Sequence, residues 1–405
     1  MILKETIVEI LHQQEEKIKA KDAGIPRQLA INIEVGGNLI LIISGIRRCG
    51  KSTLLNQIKT TTQKSCYFNF EDILATDFEL SDFKKLDSII KESYQGAFLF
   101  FDEIQAVEGW ENYARSAQDD GFSLIITGSN ASLLSRELGT KLTGRHLTYE
   151  LFPFSYAEFL VYKKASPGID SFRDYFIAGG FPEYIKQSNP EILQQLLRDI
   201  LYRDIIVRHG LKNSSLVEKL ATFLMTNAGK KFSYNALMKT FETGSANTII
   251  DYVSYFEDSY LLLTIPSFSY SLKDQIRNPK KIYSIDHGMA RVNSLSFSKD
   301  EGRILENIVF LHLRRKWKKI YYYSGKGECD FVVFDRDKVE MVVQVCYELS
   351  DDNLARELSG LKEAMDFFQL DQGLLISYNQ EDIIEEAGRK IMVIPAWKWM
   401  KEEKS

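Results

Sequence analysis

The pattern of apolar and polar residues divides the first part of the chain into short apolar runs and longer helical stretches. Apolar residues recur at helical spacing over residues 5–20, which predicts an amphipathic helix. Four continuous apolar runs follow, with helical stretches between them, at 39–44, 66–70, 97–101 and 123–127. Runs of this length are typical of strands buried on both faces of a parallel sheet. We therefore predict a three-layer α/β domain over residues 1–150.

The rest of the chain has three regions with different patterns of apolar and polar residues. Residues 151–210 are mostly helical in pattern. Residues 211–300 have short helical stretches followed by two apolar strands, which is typical of a winged-helix domain. Residues 301–405 begin with a helix, continue with three strands, and end with a second helix and further strands. The pattern therefore predicts four regions in sequence.

Composition narrows the class of protein. A length of 405 residues predicts two to four domains. The net charge of −5 argues against unspecific wrapping of nucleic acid but leaves room for a local basic face. The four cysteines are widely scattered, which argues against a zinc site or a disulfide framework. Without a membrane-length apolar run or a signal-peptide pattern, we expect a cytoplasmic protein with no membrane partner.

The strongest chemical signal is the segment 45–52, whose sequence GIRRCGKS matches GxxxxGK[ST]. An apolar strand enters it, and a helix leaves it near Lys51. The backbone N–H groups of such a loop surround phosphate oxygens, and the helix N-terminus adds partial positive charge. We expect Lys51 to contact the β- and γ-phosphates of ATP, and the Ser52 hydroxyl to bind Mg²⁺. The loop residues predicted to bind nucleotide are Gly45, Arg48, Cys49, Gly50, Lys51, Ser52 and Thr53.

An acidic pair ends the third apolar run, at the edge where an open α/β sheet binds its ligands. We predict that Asp102 holds Mg²⁺ through its water shell and that Glu103 orients the attacking water. Glu103 can instead cap the following helix, and one residue can serve both roles.

Two further sites have a chemical and a plain interpretation each. Ser129 and Asn130 follow the fourth apolar run, where a polar residue can sense the γ-phosphate or simply form a turn. Arg145 can act as an arginine finger on the ATP of a neighbouring subunit, which would require a homo-oligomer. A surface arginine in a local ion pair is the alternative.

These motifs, in this order, resemble the AAA-type predicted ATPases of bacteria and archaea that carry a C-terminal domain of unknown function. The resemblance covers nearly the whole chain and implies that residues 151–210 form a helical lid. It also implies that Pro26 and Arg27 lie near the adenine, and that Pro182 touches the base from the lid. The matching segments are 25–27, 45–53, 100–105, 127–130, 142–145, 151–155, 179–182 and 203–205.

Residues 301–405 are similar to the PD-(D/E)xK nuclease core. That core places metal-binding carboxylates on a helix and on the second strand, and a lysine on the third strand. Glu306 and Asp330 match the first two positions. Gln344 and Cys346 stand where the third carboxylate and the lysine are needed, which argues against an active nuclease. The alternative is a nuclease fold that has lost its catalytic activity but still contacts nucleic acid or a protein partner.

The winged-helix-like region leaves DNA binding and partner binding open. Its second helix would present Asn247, Thr248, Asp251 and Tyr252, but contains no lysine or arginine. The predicted wing has cations that could contact phosphate, at Lys273, Arg277, Lys280 and Lys281.

Taken together, these features predict a Mg²⁺-dependent ATPase that couples its nucleotide state to DNA or partner engagement. A nucleotide-gated switch with slow hydrolysis and a protein partner is the alternative, and a metal-dependent nuclease is the third hypothesis.

Overall fold

The computed structural model describes residues 1–31, 33, 39–129, 142, 144–294, 300–386 and 388–401. The chain divides into two compact units, Met1–Phe152 and Pro153–Ser405. Along the described part of the chain, no helix has the length and apolar character that a membrane crossing needs.

The first unit is built on a five-stranded parallel sheet with strand order β2-β3-β4-β1-β5. Its strands are β1 (Ile40–Ser44), β2 (Ser65–Asn69), β3 (Phe98–Asp102), β4 (Leu124–Gly128) and β5 (His146–Glu150). Its helices are α1 (Lys4–Ala20), α2 (Gln28–Ile31), α3 (Lys51–Thr60), α4 (Phe83–Ser93) and α5 (Trp110–Asp119). The α/β class predicted from the apolar runs is confirmed. The edge strand β5 was not among those runs, because its residues are exposed or only partly buried.

An aromatic core supports the carboxyl ends of β2 and β3. The ring of Phe70 has its centroid within 5.5 Å of the centroids of four other phenylalanines. They are Phe68, Phe78, Phe83 and Phe101. Burial of one such ring stabilises the fold by about 1.5–3 kcal/mol. The core therefore holds rigidly the sheet edge at which Asp102 and Glu103 lie.

The second unit begins with helices. They are α6 (Tyr156–Lys163), α7 (Ile169–Ala178), α8 (Pro182–Gln187), α9 (Pro190–Asp199) and α10 (Ser214–Thr226), and α9 continues as a π-helix over Ile200–Val207. Between α7 and α8, Gly180 lies so close to the Phe154 carbonyl oxygen that an added Cβ would come within 2.4 Å of it. The Gly180 N–H donates to the Asp286 carboxylate at 2.6 Å. This turn therefore needs glycine, and it is hydrogen-bonded to a residue about a hundred positions later.

A small antiparallel sheet follows, with strand order β6-β8-β7. Its strands are β6 (Lys231–Phe232), β7 (Leu262–Pro266) and β8 (Lys280–Ser284). The helices around it are α11 (Tyr234–Thr240), α12 (Ala246–Asp258), α13 (Leu272–Arg277) and α14 (His287–Asn293). The predicted hairpin corresponds to β7 and β8; the structure adds the short strand β6 and places α13 between the two hairpin strands.

The chain ends in a six-stranded mixed sheet with strand order β13-β14-β12-β11-β10-β9. Its strands are β9 (Lys319–Ser324), β10 (Glu328–Asp335), β11 (Lys338–Cys346), β12 (Gln372–Ser377), β13 (Asp382–Glu386) and β14 (Arg389–Pro395). Its helices are α15 (Glu301–Lys316), α16 (Asp351–Phe368) and α17 (Ala396–Trp399). The predicted order of helix, three strands, helix and strands matches this arrangement.

Candidate functional site

The loop between β1 and α3 follows a path that requires glycine at two positions. An added Cβ atom on Gly45 would come within 2.1 Å of the Leu151 carbonyl oxygen. Gly50 precedes α3 with a φ of 101°, in the left-handed region that favours glycine. Thr53 lies in the first turn of α3. The loop therefore turns sharply from the sheet into the helix, as a phosphate-binding loop must.

Arg27 stabilises this loop through buried hydrogen bonds. Its side chain is only 2% exposed. One guanidinium nitrogen donates to the Cys49 carbonyl oxygen and the other to the Phe152 carbonyl oxygen, each at 2.7 Å. Charged donors make hydrogen bonds about twice as strong as neutral ones. The guanidinium thus links the backbone of the phosphate-binding loop (the P-loop, residues 45–52) to the end of the first unit. Pro26, beside Arg27 in the chain, is exposed.

Lys51 is buried and bonded to the loop that it follows. Its Nζ donates to the carbonyl oxygens of Gly45 at 3.2 Å and Ile46 at 3.3 Å. It also lies 3.4 Å from Oε1 of Glu103. Burial is the largest single influence and would lower the pKa of Lys51, but the charges of Glu103 and Asp102, with the hydrogen bond to Glu103, act against it and the pKa is raised. The charged ammonium therefore lies where an incoming phosphate would compete for it.

The acidic pair lies at the carboxyl end of β3 and is bonded to both neighbouring strands. Asp102 accepts hydrogen bonds from the Thr127 hydroxyl at Oδ1 and from the Tyr67 hydroxyl at Oδ2. Glu103 has a φ of 52°, which is uncommon for a residue with a side chain. Its carboxylate accepts from the Ser129 N–H at 3.1 Å. These bonds fix the two acids relative to the ends of β2 and β4.

The pKa values of the two neighbouring carboxyl groups are shifted in opposite directions. Burial and the charge of Glu103 raise the pKa of Asp102, although hydroxyl groups that donate to it act against this. Burial is the largest single influence and would also raise the pKa of Glu103, but the ammonium of Lys51 and the hydrogen bond from Gln105 together lower it. Perturbed acids that face a charged partner are typical of functional sites.

Ser52 and Asp102 have the chemistry of a magnesium site. The Ser52 side chain hydrogen-bonds to the Asp102 carboxylate. Mg²⁺ prefers oxygen ligands and is usually held in proteins by one or two carboxylates together with substrate phosphates. The hydroxyl and carboxylate oxygens that meet here fit that ion. Within the described residues, no group of three or more His, Cys, Asp or Glu is arranged to hold a metal on its own.

The other predicted site residues lie apart from this cluster or outside the described chain. Arg145 forms a surface ion pair with Asp119 at 2.7 Å, and both side chains are more than half exposed. Asn130 lies outside the described residues. Pro182 is the first residue of α8 and belongs to the second unit. The roles predicted for these residues stay predictions.

A lysine lies between the two carboxylates predicted for a nuclease. Lys281 Nζ is 2.9 Å from Oε1 of Glu306 and 2.8 Å from Oδ1 of Asp330. It also lies 2.9 Å from Oε1 of Glu328. The contacts to Glu306 and Asp330 are hydrogen bonds, and Glu328 adds an ion pair. The Gln344 amide donates to Glu357 and accepts from the Asp330 N–H. These contacts hold a protein cation where a nuclease would need a metal.

Two expectations for the winged-helix-like region are wrong. Lys281 was expected on an exposed wing, but it is only 2% exposed because β8 turns it into the carboxylate cluster. Tyr252 was expected on the exposed face of α12, but it is 8% exposed because it packs on the buried face of that helix. Lys273 and Arg277 are exposed as expected.

Two residues of the site were missed from the sequence. Tyr67 and Thr127 lie within the apolar runs 66–70 and 123–127, where they count as strand formers. Each carries a hydroxyl group on a strand that the structure places beside β3. A hydroxyl at such a position is the available signal, but it becomes specific only once the strand order is known.

Known families and proteins match most of the chain. An AAA domain family matches residues 37–160, and a domain of unknown function, DUF8612, matches residues 169–300. An uncharacterized protein of Methanocaldococcus jannaschii is 36% identical over 401 residues, covering 91% of this chain and 90% of the relative. An uncharacterized protein of Haemophilus influenzae is 28% identical over 383 residues, covering 89% of this chain and 94% of the relative.

Two solved structures are distantly similar to the chain. The Aeropyrum pernix ORC1 protein in complex with DNA has 11% identity and a TM-score of 0.31, covering 65% of this chain and 88% of that chain. AMPPCP-bound DnaA from Aquifex aeolicus has 13% identity and a TM-score of 0.29, covering 62% and 88%. TM-scores of this size support no inference about function.

Proposed function

The chain belongs to the family of the Methanocaldococcus jannaschii protein and carries an AAA domain, and on this basis we propose that it is a Mg²⁺-dependent ATPase. One observation carries the proposal: Lys51, Ser52, Asp102 and Glu103 meet in hydrogen-bonding or ion-pairing contact at one sheet edge. Phosphoryl transfer needs little beyond positioning and charge neutralisation, which these four groups can supply.

The P-loop would bind the triphosphate. Backbone N–H groups of residues 46–51 would donate to phosphate oxygens, and Lys51 would exchange its carbonyl partners for the β- and γ-phosphates. Ser52 and Asp102 would hold Mg²⁺, whose positive charge would offset the charge of the phosphates. The buried position of Lys51 strengthens its attraction to phosphate, because the surroundings screen charge weakly.

Glu103 would orient and polarise the attacking water. In the structure its carboxylate is held by Lys51 and by the Ser129 N–H. When Lys51 turns to the γ-phosphate, Oε1 of Glu103 becomes available to accept a hydrogen bond from water. The hydrogen bond from Gln105, which also lowers the pKa of Glu103, would remain and favour the charged carboxylate that this role requires.

Phosphate release by Glu103→Gln tests the proposal. The amide keeps the shape of the side chain but cannot accept a proton, so steady-state phosphate release should fall by about 100-fold or more. ATP binding, measured by calorimetry, should persist. The matched control is Glu108→Gln, which changes an exposed glutamate nearby and should leave turnover unchanged. Equal turnover in Glu103→Gln and the wild-type protein would remove Glu103 from this role.

We further propose that nucleotide state is coupled to engagement of DNA by the second unit. The connection between β7 and β8 exposes an aromatic ring and two cations, at Tyr270, Lys273 and Arg277. Tyr270 is 84% exposed, and aromatic rings beside cations are a common surface for nucleic acid. Stimulation of ATP hydrolysis by single- or double-stranded DNA would support this coupling, and its loss in Lys273→Glu would locate it.

The alternative is a nucleotide-gated switch with a protein partner. It is favoured by the Lys51–Glu103 ion pair, which ATP has to open before Glu103 can act. Turnover below about one per minute, far under the usual enzyme rate, would favour the switch, as would indifference to DNA. An arginine finger at Arg145 would require a homo-oligomer, so light scattering with ATP tests that role.

A further inference from the structure

The hydroxyl group of Tyr67 lies beside the proposed magnesium site. Tyr67 stands in the middle of β2 and pairs with Phe100 of β3 in parallel register. Its ring is buried, with 7% of the residue exposed. Its hydroxyl reaches Asp102, the last residue of β3, and donates to Oδ2 at 3.0 Å. The bond joins residues that are 35 positions apart in the chain.

Asp102 therefore has hydroxyl donors around it. Thr127 donates to Oδ1, Tyr67 donates to Oδ2, and the Ser52 hydroxyl also bonds to the carboxylate. Asp102 is 1% exposed, so these donors replace the water that a surface carboxylate would have. Hydrogen bonds to the charged form favour that form and hold it in one orientation. The donor from Tyr67 comes from a strand outside the nucleotide-binding loop.

We propose that Tyr67 is a positioning residue for the magnesium site: its hydroxyl fixes the Asp102 carboxylate in the orientation that meets Ser52. The inference rests on the proposed ATPase function. Groups that hydrogen-bond to a metal's protein ligands orient those ligands, and their loss typically lowers metal affinity 10–100-fold. Tyr67 would touch neither nucleotide nor metal, so its effect would pass through Asp102.

The hydroxyl group of Tyr67 and its aromatic ring have different roles in this proposal. The ring is buried beside the sheet, while the hydroxyl contacts Asp102. Tyr67→Phe removes the hydroxyl contact with Asp102 and keeps the buried ring. The matched control is Tyr113→Phe, which removes a buried hydroxyl that has no hydrogen-bond partner among the described residues.

The experiment measures metal and nucleotide affinity separately. Mn²⁺ binding in the presence of ADP is followed by electron paramagnetic resonance, and ADP binding without metal by calorimetry. We expect Tyr67→Phe to weaken Mn²⁺ binding about 10-fold or more, with metal-free ADP affinity unchanged. The Mg²⁺ concentration for half-maximal ATP hydrolysis should rise in the same proportion. Tyr113→Phe should match the wild-type protein in all three measurements.

The outcomes distinguish this inference from the proposed function. If the wild-type protein with ADP binds no Mn²⁺, the proposed ATPase function fails. If the wild-type protein binds Mn²⁺ and Tyr67→Phe binds it equally well, only the inference about Tyr67 is overturned. Equal losses of Mn²⁺ affinity and metal-free ADP affinity would also overturn it, because the hydroxyl would then support the fold of the site. Melting curves of both variants verify that they are folded.

Discussion

The ammonium of Lys51 lies 3.4 Å from the carboxylate of Glu103, so the predicted phosphate-binding lysine and the predicted catalytic acid neutralise each other. Both side chains are largely withdrawn from water, at 4% and 14% exposed. A γ-phosphate offers Lys51 a more highly charged partner in the same place. Nucleotide binding would therefore separate the pair, and the strength of the pair opposes that binding.

Replacement of Glu103 should tighten ATP binding. In Glu103→Gln the lysine has no carboxylate to leave, so the cost of separating the pair disappears. An exposed ion pair contributes up to about 1 kcal/mol, which corresponds to a factor of about five, so we expect the Kd for ATP to fall by up to about fivefold. Calorimetry without turnover measures this, with Glu108→Gln as the exposed control. An unchanged or higher Kd would show that the pair does not compete with nucleotide.

Removal of Lys281 should destabilise the second unit. Three carboxylates, Glu306, Glu328 and Asp330, would lose the ammonium between them. Breaking a buried ion pair by removing one partner costs about 3–5 kcal/mol, so Lys281→Met should lower the free energy of unfolding by that order. Urea denaturation measures it, and Lys273→Met, at an exposed position, is the control with an expected change within about 0.5 kcal/mol.

A second substitution tests the reason for that loss. Adding Glu306→Gln to Lys281→Met removes one buried acid that has lost its counter-charge, so the double variant should be more stable than the sum of the single changes predicts. Additive losses would contradict the charge-balance explanation.

If Lys281 occupies the place that a nuclease would give to its metal, the protein should have no nuclease activity. Plasmid DNA incubated with the wild-type protein and Mg²⁺ or Mn²⁺ should then stay intact.

Glu306 should make stability depend on pH near neutrality. Burial and the charge of Asp330 raise the pKa of Glu306 from an ordinary 4.5 to about 7. Its stabilising contribution is therefore fully present below about pH 4.5 and is lost as the pH rises through about 7. The free energy of unfolding of the wild-type protein relative to Glu306→Gln should fall between pH 5 and about pH 8. A difference that stays constant over this range would show that Glu306 does not titrate there.

The sequence predicted local features of the fold better than contacts between distant positions. The apolar runs located β1 to β4 because both faces of those strands are covered, so the whole run is apolar. The strand β5 was missed, because an edge strand with exposed residues has no such run. The P-loop was predictable because its chemistry lies within one short segment.

Contacts between distant positions depend on strand order, which the sequence leaves open. Lys281 looked like a wing cation because its neighbours are polar and charged, yet its partner Asp330 lies 49 positions later. Tyr67 and Asp102 were likewise separated by 35 positions. In both cases a charged or hydroxyl group meets its partner across adjacent elements, and local pattern carries no information about which elements will be adjacent.

Arg27 offers a direct comparison between a role in the P-loop and a role at the adenine. Its guanidinium donates to the carbonyl oxygens of Cys49 and Phe152, a pair of directed bonds that a lysine cannot reproduce. Loss of one hydrogen bond from a charged group costs about 1.5–3 kcal/mol, so we expect Arg27→Lys to weaken binding of the triphosphate about 10-fold or more. A role through the P-loop predicts the same fold-change for ATP and for inorganic tripolyphosphate, because both occupy the loop. Contact with adenine predicts a loss for ATP alone, so paired calorimetric titrations of wild-type and Arg27→Lys protein with the two ligands decide between the roles.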